Sequence, residues 1–329
     1  MLTFIVPGLF WPQQALIDLT RDLPLPALTT LLGRGRLQRR GASSLHECIA
    51  AETGLPYPLP AAALRRPTHS GFALGSEICL DPVHLRFEER TLVLDDPQHL
   101  QLDASESHAL TVSLASTFAG LGELIEHTPG CWNLRLTSPA PAFLALPEAS
   151  ARAVEPLPLD AIYAPWRRAL NEAQMVLHGH PVNQAREAAR RPVINSLWPW
   201  GGGVLPPASS RHAVLWSNDP LRDSIARHCG MASAVLPPSL TTNINQPTLV
   251  TLDTLALPLR SGDGLSWREH ITALETDWFA PALAALKSGR LDGLCLIATG
   301  TPEHLELRVH KRDLWKFWRP PLPITALTS

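Results

Sequence analysis

Several familiar signals are missing from this chain. Its five cysteines (Cys48, Cys79, Cys131, Cys229 and Cys295) form no C-x-x-C pair. An odd, scattered set reads as buried thiols in a reducing compartment rather than as a disulfide framework. The opening MLTFIVPGLFWPQQ has no positively charged n-region and only a short apolar run, so it reads as neither a signal peptide nor a membrane span. Excess charge of one sign is also missing. The net charge is -2, which argues against a surface dedicated to nucleic acid. G-x-x-x-x-G-K-[ST], G-x-S-x-G and H-E-x-x-H are all absent, and no internal repeat is visible. This leaves phosphate-loop, nucleophile-elbow and zincin chemistry without support. The expectation is a soluble, cytoplasmic protein with neither membrane nor nucleic acid as a partner.

What is present is material for a large core. In 329 residues, 45% are hydrophobic and 18% charged, enough for one large domain or two ordinary ones. The 32 prolines are spread along the chain and punctuate loops. LTFIVPGLF reads as a buried strand closed by Pro-Gly, and PLPALTTLLGRGRLQRRG as a short helix followed by a basic turn. In SSLHECIAAETGL, Ser44, Glu47 and Gly54 supply a cap, its reciprocal partner and a stop, so this is a helix. Between about 70 and 137, CLDPVHLRFEERTLVLDD gives two strands, SESHALTVSLASTFAGLGELIEHT an amphipathic helix and CWNLRLTS a strand. That block is a small α+β insert. Beyond it, APWRRALNEAQMVLHGHPVNQAREAARRP is two helices broken at His180-Pro181. PVINSLWPW, AVLWSN, TLVTLDTLAL and LDGLCLIATG are strands. DPLRDSIARHCGM, with Asp219 as N-cap, and SWREHITALETDWFAPALAALKSG are helices. Strands alternating with helices predict a mostly parallel α/β sheet.

Four stretches invite a chemical reading. WGGGVLPP follows a strand but is not G-x-G-x-x-G, because a proline stands at the third glycine's place. HGHP offers two imidazoles, but positions i and i+2 do not share a helix face, so a helix end is favoured over a metal site. GRGRLQRRG could touch phosphate; a solvated basic turn is the plainer reading. HKRDLWKFWRPP mixes cations and aromatics as single-strand binders do. An edge segment whose tryptophans pack down is preferred.

The order of these pieces resembles the cofactor-independent phosphoglycerate mutases of archaeal type, in the alkaline phosphatase superfamily. It resembles more closely the bacterial RpfE-type regulatory proteins related to them. The matching stretches are LDPVHLRFEERTLVL with LRL at 134–136, ALNEAQMVLHGHPVNQAREAARRPVINSLWPWGGGVLP, LWSNDPLRDSIARHCGM and HITALETDW. The resemblance implies an alkaline-phosphatase-like three-layer sandwich over 1–65 and 145–329, with the α+β insert at 66–144. It also implies two divalent metals such as Mn or Zn and a serine nucleophile, since metal-assisted phosphoryl transfer needs hard anionic and imidazole ligands. Here the implied ligand positions read otherwise. Val6-Pro7-Gly8 stands where the first strand should end in Asp. Ser43 matches the nucleophile, but Ser44 stands at a ligand place. Ala256 and Arg260 fall on the acidic element, and Ala298-Thr299-Gly300-Thr301-Pro302 keeps only Thr-Pro of the last motif.

With those ligands gone, no metal and no cofactor are expected, and Ser43 is a vestigial nucleophile. What remains is His180, Asn183 and Arg186 beside Asn195, Trp198, Trp200 and Gly201. As a site, these would offer donors and an arginine fork to a phosphate or carboxylate at a strand exit. As structure, the asparagines would bond turns, Arg186 would lie on a helix surface, and the indoles would fill a seam. The expected function is a catalytically degenerate, mutase-like protein that binds a small anionic metabolite or a protein partner and regulates. One alternative is an active mutase or phosphatase drawing ligands from Asp219, Asp253, Asp263, His304 and His310. Another is an interaction module working through the aromatic-basic segment.

Overall fold

The computed structural model describes residues 1–66, 77–88, 90–240 and 244–327. In chain order the elements are β1 (Leu2–Ile5), α1 (Gln13–Thr20), α2 (Pro26–Arg34), β2 (Arg36–Ser43), α3 (Leu45–Thr53) and α4 (Ala61–Arg65). There follow β3 (Glu77–Val83), β4 (Leu85–Glu88), β5 (Thr91–Leu94), α5 (Ala104–Phe118), β6 (Gly122–Thr128), β7 (Cys131–Leu136), α6 (Leu146–Ala149) and β8 (Arg152–Val154). Next come α7 (Ala164–His178), α8 (Pro181–Ala188), β9 (Ser196–Trp200), β10 (Val214–Trp216), α9 (Pro220–His228), β11 (Ala232–Ala234) and β12 (Thr248–Thr251). The chain closes with α10 (Ala256–Ser261), α11 (Gly264–Leu274), α12 (Ala280–Ser288), β13 (Gly293–Ala298) and β14 (Gly300–His310). Among the described residues, no helix is long and apolar enough to cross a membrane.

Two compact units emerge: Met1–Leu55 with Pro207–Ser329, and Pro56–Pro206. The first is a seven-stranded sheet in the order β11-β10-β12-β1-β13-β14-β2. The strands from β11 to β13 run parallel, and β14 returns antiparallel between β13 and β2. Period-two alternation sorts its side chains. Leu2, Phe4 and Val6 join Val250, Leu294, Leu296 and Leu307 in one core, closed by Leu28, Leu31, Trp267, Trp278 and Phe279. Thr3 and Ile5 point to the other face and are equally buried. On that face Glu52 of α3 helps raise the Cys295 thiol of β13, after burial and Glu306. Helices thus cover both faces, giving the expected α/β layers with a mostly parallel sheet.

The second unit is larger than the expected insert at 66–144, the opening of which partly falls outside the described residues. It takes in α7, α8 and β9. Its main sheet, β6-β7-β3-β9, is antiparallel throughout, and β4-β5-β8 form a smaller one. Ile78, Leu80, Trp132, Leu134 and Leu197 pack on Leu110, Leu114, Trp166 and Leu177 of α5 and α7. Residues 122–128, expected to continue the preceding helix, form β6 instead, paired with β7. The basic turn is likewise a strand: β2 is an edge strand whose backbone is satisfied by β14.

Candidate functional site

The carboxyl edge of a parallel sheet is where α/β proteins place ligands, and here it tests the implied metal chemistry. Register puts Ser43 opposite Gly300 at that edge. Gly8 has φ +82, and a Cβ there would sit 2.4 Å from the Leu255 carbonyl oxygen, so the turn after β1 is shaped for backbone contact. Ser43 Oγ lies 3.2 Å from Cys48 Sγ. Burial pushes that thiol up to about 11, so Ser43 faces a neutral group that cannot serve as its base. A cation at this edge is Arg222. It is buried, and its Nη1 donates to Ser217 Oγ at 3.2 Å, Thr251 Oγ1 at 2.9 Å and Asp253 Oδ2 at 2.7 Å. Asp219 Oδ2 is 3.5 Å from its Nε.

Of the five residues of the alternative ligand set, Asp219 and Asp253 therefore straddle a guanidinium. Asp263 caps α11 through Ser266, His304 bonds the Gly41 carbonyl, and His310 caps the turn after β14. Among the described residues no three His, Cys, Asp or Glu side chains are grouped as metal ligands would be. The donor set present does not fit a two-metal centre.

The cluster read from the sequence is drawn together only in part, and mostly as structure. Arg186 is not on a helix surface: its side chain is 0% exposed. Nε donates to Pro192 O at 2.7 Å, Nη1 to Glu106 Oε2 at 2.7 Å and Nη2 to Leu100 O. Asn183 spans Leu177 O and Ile194 O, at 2.8 and 2.6 Å, and accepts from Ile194 N. Asn195 clasps both backbone groups of Leu85. His180 caps α8, its Nδ1 accepting from Val182 N–H at 3.2 Å, with Nε2 3.0 Å from Ser113 Oγ. Trp198 Nε1 donates to Leu144 O. These donors and acceptors are engaged within the fold, which corrects the reading of a donor cluster open to ligand. The strand-exit placement changes too, because β9 lies in an antiparallel sheet and the carboxyl-edge rule does not govern it.

Trp200 leads to a different place. Its indole is 2% exposed, and its Nε1 donates to Asp81 Oδ2 at 2.8 Å. Asp81 also accepts from Arg65 Nη1 at 2.8 Å, and the Arg65 guanidinium carbon sits 4.9 Å from the Trp200 ring centroid, a cation–π contact. Gly201, with φ +64, lets the chain pass α4: a Cβ would lie 2.7 Å from Ala61 Cβ. Antiparallel register aligns Glu77 with Arg135, and Cys79 with both Asn133 and Trp200, on one face of the sheet. Glu77 lies 3.7 Å from Arg66 and 3.6 Å from Arg135, longer than direct hydrogen bonds, and accepts from Asn133 Nδ2 at 3.0 Å.

His127 belongs to the same network. Burial holds its pKa below the usual imidazole range, Glu77 opposes this, and Arg65, Arg66 and Arg135 push it down further. Its Nε2 is buried with no hydrogen-bond partner among the described residues. This polar face was missed in the sequence. The signal was there: EICLDPV and CWNLRL carry polar residues at alternate positions, Glu77, Cys79, Asp81 and Cys131, Asn133, Arg135. A strand buried on two apolar faces would not.

Comparisons with known proteins bear on the fold. No family model matches the sequence, and no curated protein matches it. Among solved structures, it is similar to the PH0037 protein from Pyrococcus horikoshii, at 13% identity over 94% of this chain and 87% of that one, with a TM-score of 0.51. A cofactor-independent phosphoglycerate mutase from Thermoplasma acidophilum DSM 1728 aligns at 15% identity over 100% of this chain and 94% of that one, with a TM-score of 0.49. The class defined is thus an α/β fold similar to that of PH0037, carried here together with a second, α+β unit.

Proposed function

We propose that this chain is a phosphoglycerate-mutase-like protein that has given up two-metal phosphoryl transfer and binds a small phosphate- or carboxylate-bearing metabolite. Its role would then be regulatory, as the resemblance to RpfE-type proteins implies. The observation that carries the binding half is His127, whose buried Nε2 has no hydrogen-bond partner among the described residues, in a network with Glu77, Arg65, Arg66 and Arg135. Burial is the first cause of its lowered pKa, Glu77 opposes it, and Arg65, Arg66 and Arg135 add to it; a buried ring nitrogen left unpaired in a polar network is the donor we assign to an oxyanion. Arg222 supports the other half: a protein cation, already matched by Asp253, sits at the sheet edge where metal chemistry would need vacant anionic ligands.

The test is calorimetric titration of inorganic phosphate and 3-phosphoglycerate into the whole chain in excess EDTA. Binding without metal is expected. His127→Ala should weaken it about tenfold, roughly the value of one charge-assisted hydrogen bond, while the unfolding midpoint is retained. Binding that demands Mn, or that ignores His127, would contradict the reading.

A further inference from the structure

The aromatic-basic segment after β14 does not pack down as its sequence suggested. Trp315, Phe317 and Trp318 are 74%, 77% and 68% exposed. Three large aromatics standing out within four residues form an apolar patch, unlike the single exposed side chains normal on soluble surfaces. The backbone beneath them is fixed. Asp313 is buried and accepts from His310 N–H at 2.9 Å and from Lys316 Nζ at 2.5 Å. Lys316, Phe317 and Arg319 N–H groups donate to the carbonyls of Asp313, Trp315 and Lys316. Leu314 and Leu322 pack on the core of the first unit, and Leu322 N–H donates to Thr29 O at 2.9 Å. A carbonyl, Pro320 O, passes so close to Gly33 that a Cβ there would lie 2.1 Å from it. The rings are therefore presented by an anchored segment.

Charge surrounds them asymmetrically. Lys311, Arg312, Lys316 and Arg319 against Asp313 make residues 311–319 net +3 (four cations less one anion), in a chain of net charge -2. Lys311, Arg312 and Arg319 are exposed, and among the described residues none of them makes an ion pair. Rings open over two thirds of their surface protrude and do not line a groove. Protruding indoles and a phenyl ringed by cations suit a deformable apolar phase with anionic headgroups, where Trp and Phe settle at the interface and each nearby Lys or Arg adds attraction. Phe317 and Trp318 stand edge to face at 79° and do not form a row of open faces along which successive bases would stack.

We propose that Trp315, Phe317 and Trp318, with Lys311, Arg312 and Arg319, form a peripheral docking surface for an anionic phospholipid bilayer.

Flotation of the full chain with vesicles tests this, using phosphatidylcholine alone or mixed with phosphatidylglycerol. The expected result is capture by the anionic vesicles only, weakened by salt, with a blue shift of tryptophan emission. The triple variant Trp315→Ser/Phe317→Ser/Trp318→Ser should lose roughly tenfold or more in partitioning. Arg312→Glu/Arg319→Glu should lose at least about fivefold per cation. Both variants should keep the wild-type circular dichroism and unfolding midpoint, since every changed residue is exposed. Failure to bind anionic vesicles at low salt, or binding unchanged in both variants, would overturn the proposal. So would transfer of the same dependence to a single-stranded oligonucleotide, or to self-association of the chain, with vesicles ignored.

Discussion

Arg186 shows how far the role of one residue can diverge from its type. An arginine near histidine and asparagine suggests an anion fork, yet every one of its nitrogens is engaged within its own unit. Burial also holds its pKa below the usual arginine range, with Glu106 opposing. Removing Arg186 would strip the Pro192 and Leu100 carbonyls of a donor and leave Glu106 only the more exposed Arg191, a loss of about 3–5 kcal/mol. Arg186→Leu should therefore lower unfolding free energy by about that much in urea titrations. Arg191→Leu, whose side chain is 39% exposed and shares the same Glu106, should cost at most about 1 kcal/mol. Equal effects would show that Arg186 is not the keystone of that corner. Trp200 diverges the other way: expected to line an exit, it is the buried end of a chain running from Asp81 to Arg65.

At the scale of the element, local chemistry was legible where a cap writes itself into the sequence. Ser44 accepts from Glu47 N–H at the start of α3, and Gly54 ends it in the left-handed region. Asp219 accepts from Leu221 N–H ahead of Pro220. Where partners decide, the sequence was silent. RLQRRGAS is polar and Arg-rich, and it becomes a strand only because β14 supplies a backbone ladder. GELIEHT leaves its helix for β6 because β7 is beside it.

The cap of α8 gives a prediction at this scale. His180 serves only while Nδ1 is unprotonated. Burial depresses its pKa, with a backbone bond at Ala109 opposing. The unfolded chain therefore takes up this proton first. The cap's contribution is complete above about pH 6.5, the ordinary imidazole value, and declines as pH falls through and below it. His180→Asn keeps a cap that does not titrate. Its stability should fall less than that of the wild-type chain between neutral and mildly acidic pH, as followed by urea midpoints. Parallel profiles would remove His180 from the account.

For the whole molecule, the α/β class was legible from alternating strands and helices, but the division was not. The second unit runs over 56–206 where 66–144 was expected. Helices α7 and α8 look like any amphipathic α/β helices, and only the pairing of β9 with β3 draws them into it. The polar face with His127 followed from the same pairing. At the carboxyl edge of the seven-stranded sheet the residues matched to the implied ligands can be placed, and Asp253 is there engaged with Arg222. Val6-Pro7-Gly8, Ser43-Ser44 and Ala298-Thr299 carry no carboxylate or imidazole there, and Arg222 fills the role of local cation. The side chains of Thr301 and Pro302 lie outside the described residues.

The central claim is that this fold works without a two-metal centre. It is tested most directly by measuring the metal content of the whole chain after exposure to excess Mn and Zn and desalting, with phosphoglycerate mutase activity assayed on the same samples. The account predicts well under one tightly held metal per chain and no turnover above buffer. Two metals per chain with mutase activity, both lost on chelation, would contradict it.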